Sequence, residues 1–271
     1  MPPPMSRYAQ LALVVLCLLA NALAQDRKSL EKQLKTELEG KTVVVRNFYD
    51  GNDLRYDQTG QIKGNVNSGP WTLLAKVQVN RVHVGKEDFE ISGRRMFVKF
   101  EGPQDKKRAV EVRSDATVDL HIDFPAGAAD NVLISALQKV FLGASEQLID
   151  IAPPYWQSFL RGTKPIAPKE TIAGAVVAKV GGPVHAPAIR FSPDPSYNAV
   201  ARAFRFEGRV VLSGVVDTDG WMKQIQIVSP VGLGLDERGI AAAETWRFDP
   251  ATKDEKPIPV RISIEINFHI F

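Results

Sequence analysis

The chain is poor in the residues that most catalytic and metal chemistry needs. It has one cysteine, Cys17, in 271 residues, which leaves no basis for a disulfide framework or a multi-thiolate metal centre. Its histidines, His83, His121, His185 and His269, are far apart, and no His-x-x-x-His or paired-cysteine spacing marks a metal site. There is no G-x-S-x-G elbow. Gly232-Leu233-Gly234 lacks the lysine and spacing of a phosphate loop and reads as a turn leading into a helix. Asp115, Asp119 and Asp123 recur at every fourth place along a strand-like stretch. They share a face with His121 only if the register breaks, and a solvated acidic face accounts for them. The net charge of +3 is too small to argue for nucleic acid, and Lys106-Lys107-Arg108, just after Gly102-Pro103, reads as a solvated hairpin loop. No catalytic residue, cofactor or metal is indicated, so a binding module comes before an enzyme.

Long hydrophobic runs are scarce too. The longest, Leu11 to Ala20, follows Arg7 and precedes Ala22-Leu23-Ala24. A charged start, a short apolar run and a small-x-small ending describe a secretory signal over residues 1–24. The run falls short of the roughly 20 residues that a spanning helix needs. Export with cleavage is the expectation; the alternative is an uncleaved anchor in the inner membrane over residues 8–24. Cys17 lies inside this segment, and Val15-Leu16 before it are not the small residues of a lipid-attachment site.

Patterning then divides the chain. Residues 26–161 read as a β-rich domain of unknown role. A charged helix with Leu30, Leu34 and Leu38 on one stripe ends at Gly40. Alternating stretches follow: Thr42 to Phe48, Trp71 to Val84, Phe89 to Phe100 and Ala109 to Phe124, which predict a small antiparallel sheet or barrel. A helix carrying Val132, Leu133, Ala136, Leu137, Val140 and Phe141 would cover one face, and Tyr155 to Leu160 is a short tail. Residues 162–195 hold Pro165, Pro168, Pro183, Pro187, Pro193 and Pro195 with several glycines, and read as an extended connector.

Residues 196–271 have the order helix, strand, strand, helix, strand. Tyr197 to Phe204 is the first helix and Arg209 to Val216 the first strand. Asp217-Thr218-Asp219-Gly220 turns into the strand Trp221 to Val228. Leu235, Gly239, Ala242, Ala243 and Trp246 mark the second helix. The last strand alternates for its whole length, with Val260, Ile262, Ile264, Ile266, Phe268 and Ile270 inward and Arg261, Ser263, Glu265, Asn267 and His269 outward. The fold class is α+β, here three antiparallel strands with two helices. A long terminal strand leaves backbone groups that another chain can pair with.

Several of these residues, in order, resemble the C-terminal domain of TonB-type energy transducers. They are Tyr197 with Ala201, Gly208, Asp219-Gly220, Gly234-Leu235-Asp236, and Trp246-Arg247-Phe248 with Pro250. The lead-in Gly181-Gly182-Pro183-Val184 through Phe191-Ser192-Pro193-Asp194-Pro195 is similar as well. The resemblance covers about a third of the chain. It implies an envelope protein that engages a short peptide of an outer-membrane receptor, added as a strand beside the last strand. By that resemblance Arg261, Ser263, Glu265 and Asn267 are contact positions, with Tyr197 in the flanking segment 191–197. The family's membrane helix carries a histidine for an inner-membrane motor complex. Leu11 to Ala24 has none, so coupling to that motor is not implied. The usual tyrosine-proline step is Tyr197-Asn198 here. Two further readings stand beside this one: an exported structural or sensing protein whose first domain binds a ligand and whose last strand forms a homodimer, and an enzyme in the first domain.

Overall fold

Leu30, Leu34 and Leu38 lie four residues apart, so they share one stripe of a helix, and all three are buried. They belong to α1 (Arg27–Leu38), the first element of a computed structural model that describes residues 27–143, 145–163, 171–172 and 174–270. The segment read as an export signal, Cys17 included, lies outside the described residues. No described helix is long and apolar enough to cross a membrane. The chain forms two compact units.

The first unit holds 27–99 and Ala109–Ile151. Its elements are β1 (Thr42–Val44), β2 (Asp53–Tyr56), α2 (Trp71–Leu74), β3 (Lys76–Val84), β4 (Asp88–Glu101), β5 (Arg108–Asp123), α3 (Asp130–Val140) and α4 (Leu148–Ile151). The strands form one sheet in the order β1-β3-β4-β5-β2. The leucines of α1 and Leu133, Ala136, Leu137 and Val140 of α3 share a core with Val77, Val79, Val82 and Val84 of β3. The parity switch after Val79 has a cause. A register shift between Val79 and Arg81 inserts one residue, so odd positions before it and even positions after it face inward.

Three expectations for this unit are corrected. The sheet is not wholly antiparallel: β2 runs parallel to β5, Asp53 opposite Asp119 through Tyr56 opposite Ile122. Alternation in so short a strand fixes which face is buried but not its direction. The stretch from Trp71 does not begin as a strand. Trp71, Thr72, Leu73 and Leu74 are buried in succession, which a period of two forbids, and the Pro70 carbonyl accepts from Leu73 and Leu74 to start a helical turn. Asp115, Asp119, His121 and Asp123 need no register break, because all sit at odd positions of β5 and share a face. There Asp123 binds Arg55 at 2.7 Å and Lys63 at 2.8 Å. Partial burial works against its charge, yet these two cations hold its carboxyl below the usual value.

The described part of the second unit comprises Phe100–Arg108, 152–163, 171–172 and 174–270. A 3₁₀ turn (Pro154–Trp156) leads into α5 (Gln157–Arg161). Then come β6 (Thr171–Ile172), β7 (Ala175–Val176), β8 (Ala178–Lys179), β9 (Val184–His185), β10 (Ala188–Phe191) and α6 (Ala199–Ala203). β11 (Gly208–Val216), β12 (Met222–Ser229), α7 (Leu235–Ala243), β13 (Arg247–Asp249), β14 (Thr252–Lys253), β15 (Lys256–Pro257) and β16 (Val260–Phe268) complete it. The main sheet has the order β12-β11-β16-β8. It therefore has four strands rather than the expected three, and the fourth comes from the connector.

α7 covers one face of that sheet. Gly239 lies on the side of α7 that faces the sheet, where a Cβ would stand at ordinary contact distance, 3.7–3.9 Å, from Ile266, Val210 and Leu212. The other face is covered as well, which is why β11 is buried from Val210 to Val216 without alternation. Phe100, Trp156 and Phe159 cluster with ring centroids 5.3–6.0 Å apart, and Ser158 donates to Gln226 of β12 at 2.6 Å. Tilted and edge-on pairs of this kind are worth about 0.5–1.5 kcal/mol each beyond area burial. The short tail Tyr155 to Leu160 thus packs with the C-terminal unit.

The connector, expected as an extended spacer, is laid onto the second unit over its latter half. β8 pairs with β16, β9 with β14, and β10 with β13. Extended backbone, which proline density predicts, is also what an edge strand uses.

Candidate partner-binding edge

β16 pairs with β11 without a register shift, from Val216 opposite Val260 to Gly208 opposite Phe268. Its inward side chains Val260, Ile264, Ile266 and Phe268 are buried, with Ile262 half-buried, while Ser263, Glu265 and Asn267 are exposed. One hydrogen bond sets the direction of every backbone group along it. Ala178 N–H donates to the Pro259 carbonyl at 2.9 Å, so the Pro259 carbonyl faces away from β11. In a strand, the N–H and C=O of one residue point the same way and successive residues alternate. Arg261, Ser263, Glu265 and Asn267 therefore turn their backbone groups to the outer edge, and Ile262, Ile264, Ile266 and Phe268 turn theirs to β11. β8 covers this edge opposite Val260 and Arg261. Among the described residues no strand pairs with it from Ser263 to Asn267.

The side chains at those positions differ. Arg261 is half-buried and reaches Ser213 Oγ at 3.4 Å and Gln224 Oε1 at 3.3 Å. Glu265 binds Arg209 at 2.8 Å, a pair with both partners about half exposed and so worth under about 1 kcal/mol. Ser263 and Asn267 point to solvent. The four form a row in register with Val215, Ser213, Val211 and Arg209 of β11.

Tyr197 is placed differently from the other four. Its ring meets Phe268 edge-on, centroids 5.4 Å apart, and its hydroxyl donates to the Phe206 carbonyl at 3.4 Å. Burial first, and then Glu207, raise that hydroxyl above its usual pKa. Tyr197 thus braces the C-terminal end of β16 from the inner side. Beside it, Asn198 takes up the task a proline would leave undone. Its Oδ1 accepts from Ala201 N–H at 2.8 Å to cap α6, and its Nδ2 donates to the Leu233 carbonyl at 2.7 Å.

Gly232, Leu233 and Gly234 all have positive φ, 85°, 52° and 72°. The loop holds this shape because Asp236, wholly buried, accepts from Val231 N–H at 2.9 Å and Gly232 N–H at 2.7 Å. Burial, with the charge of Glu237 next, pushes the Asp236 carboxyl well above its ordinary range. Trp156 Nε1 donates to Glu237 at 2.9 Å. The Gly-Leu-Gly run is thus a turn into α7, as its spacing predicts.

The hairpin turn forms at Asp217 to Gly220, with Gly220 at φ 78°. A Cβ on Gly220 would collide with the Phe248 carbonyl, and the Gly220 carbonyl accepts from Phe248 N–H at 2.9 Å. Trp246 Nε1 donates to the Pro193 carbonyl at 3.2 Å, and the Arg247 guanidinium stacks on Trp221. Sequence reasoning missed β8. Its signal is the run Ala175 to Val180, apolar and β-branched, within a segment otherwise dominated by proline and glycine.

Residues 193–270 match the family described as Gram-negative bacterial TonB protein C-terminal. Among solved structures, the chain is similar to the TonB C-terminal domain of Pseudomonas aeruginosa determined by solution NMR. Identity is 24%, over 31% of this chain and 86% of that one, with a TM-score of 0.27. No curated protein matches the chain. The C-terminal region is thus of the TonB C-terminal family, on the strength of the sequence match over 193–270.

Proposed function

We propose that this chain is a TonB-like protein of the Gram-negative envelope that captures a partner by strand addition at the outer edge of β16. The partner is an extended segment of an outer-membrane receptor, and the link is to transport across that membrane. The observation that carries this reading is the edge at Ser263, Glu265 and Asn267, with which no strand among the described residues pairs, in a region of the TonB C-terminal family. Main-chain hydrogen bonds at those three residues supply affinity, and their side chains, with Arg261, supply selectivity. Tyr197 keeps the end of the strand in place and acts through Phe268 rather than by touching the partner.

The test is binding of synthetic peptides from the periplasmic segments of outer-membrane receptors to the full chain, by calorimetry. Ser263→Pro removes an outward N–H and leaves the β11 ladder intact. The expected result is saturable binding that the substitution abolishes. Absence of binding by every receptor peptide, with dimers forming instead, would replace this reading with homodimerisation through the same edge.

A further inference from the structure

We propose that residues 177–180 are a displaceable internal strand that occupies the head of the slot used by the partner; this rests on the strand-addition reading above. β8 and the open stretch from Ser263 to Asn267 lie on one continuous edge, because the Pro259 carbonyl that β8 uses and the groups at Ser263, Glu265 and Asn267 share one parity. β8 runs parallel to β16, so the slot accepts a parallel strand. A partner covering the whole edge lifts β8 away.

The hold on β8 is slight. It makes two register pairs with β16, against nine between β11 and β16. Val177 is buried, but Val176 and Val180 on either side are 67% and 45% exposed. Glycines bracket the segment: Gly174, Gly181 and Gly182 have φ of 83°, 130° and 58°, and a Cβ on any of them would meet no atom within 4 Å. They serve the turns rather than the packing, so Val177 is the one buried valine that leaves with the strand. At Gly181 the chain turns off the edge, and among the described residues no strand lies opposite Ser263 and beyond. The segment 175–180 is uncharged and apolar apart from Lys179, and it indicates the partner chemistry: a short extended peptide with small or β-branched residues.

The chain supplies its own probe. A labelled peptide of the sequence Gly-Ala-Val-Val-Ala-Lys-Val-Gly-Gly, residues 174–182, is titrated into the full-length protein and followed by fluorescence anisotropy. Ala178→Pro removes the N–H that holds β8. This variant binds the peptide about tenfold to a hundredfold more tightly than the wild type, the range expected for about two net hydrogen bonds. A second pair of substitutions locks the strand. Lys179→Cys with Arg261→Cys, in a Cys17→Ser background, places two thiols at paired positions of adjacent strands, within bridging range. The oxidised form binds no peptide, and the reduced form binds it as tightly as the single variant Arg261→Cys in the same Cys17→Ser background. Equal affinity of wild type and Ala178→Pro, no binding by either, or binding by the oxidised form would each overturn the proposal. Receptor peptides separate this from the reading it rests on. If they bind wild type and Ala178→Pro alike, strand addition stands and the internal competitor is wrong. If only the self-peptide binds, the competitor stands and the receptor is the wrong partner.

Discussion

Replacing Asp236 by alanine removes the acceptors of two backbone N–H groups in the loop before α7. Val231 N–H and Gly232 N–H donate to its two oxygens at 2.9 and 2.7 Å, and the residue is wholly buried. Each buried donor left without a partner costs about 1–3 kcal/mol, so the pair costs about 2–6 kcal/mol. That is a large share of the roughly 5–15 kcal/mol that holds a domain folded. The loss also frees Leu233, a non-glycine at φ 52°, whose carbonyl anchors Asn198 and through it the cap of α6. Asp236→Asn keeps one acceptor and costs about half as much, roughly 1–3 kcal/mol. The assay is urea unfolding at mildly acid pH followed by tryptophan fluorescence. Three of the four tryptophans, Trp156, Trp221 and Trp246, lie in the second unit and report on it. Asp219→Ala is the control, since that exposed turn carboxylate meets Trp221 N–H and Lys223 at the surface, and it costs under about 1 kcal/mol. A loss below about 0.5 kcal/mol for Asp236→Ala, no greater than for the control, would refute the claim that this carboxyl builds the loop.

Other substitutions and pH give further tests. Gly239→Ala fits at ordinary contact distance from Ile266, Val210 and Leu212 and stabilises the second unit by about 0.5–1 kcal/mol in urea unfolding, since glycine is a poor residue inside a helix; a loss would mean that α7 sits closer to the sheet than described. Gly220→Ala meets both a positive φ and the Phe248 carbonyl, and it destabilises by about 1–3 kcal/mol. The pKa of Asp236 is raised, so its contribution is full below the usual carboxylate pKa of about 4 and falls as pH rises through its own value. The unfolding free energy of the wild type relative to Asp236→Asn therefore declines from acid to neutral pH, and a constant difference would contradict this. Asp123 behaves oppositely, its pKa being lowered: wild type relative to Asp123→Asn gains stability as pH rises above the carboxylate range and loses it in acid, by no more than about 1 kcal/mol for so solvated a cluster.

Much of the second unit was legible because period and punctuation agree there. The alternation of residues 260–268 and the glycine of the Asp219-Gly220 turn each admit one local structure, whereas the expected second helix is too long: α7 ends at Ala243, so Trp246 lies beyond it, and Arg247–Asp249 is a strand. What stayed hidden depends on distant partners. β8 is two residues long and takes its strand character from β16, so the apolar, β-branched run Ala175 to Val180 marks extended backbone without showing what it pairs with. The tail around Trp156 reads as the end of one domain but packs under the sheet of the other, and its aromatic partner Phe100 lies far off in sequence. The direction of β2 was hidden for the same reason. At the candidate edge, the outward residues Arg261, Ser263, Glu265 and Asn267 followed from parity alone. The brace at Tyr197 did not, because a tyrosine opening a helix gives no sign of whether its ring faces a partner or Phe268.

The central claim is that the outer edge of β16 from Ser263 to Asn267 is where a partner strand adds. Two proline substitutions one residue apart test it most directly, since the Ser263 N–H faces outward and the Ile264 N–H faces β11. Receptor-peptide binding and unfolding free energy are measured side by side for Ser263→Pro and Ile264→Pro in the full chain. The account predicts that Ser263→Pro loses binding while its stability changes by less than about 1 kcal/mol. Ile264→Pro breaks the β11 ladder and loses about 3 kcal/mol or more. Unchanged peptide binding by a folded Ser263→Pro would contradict it.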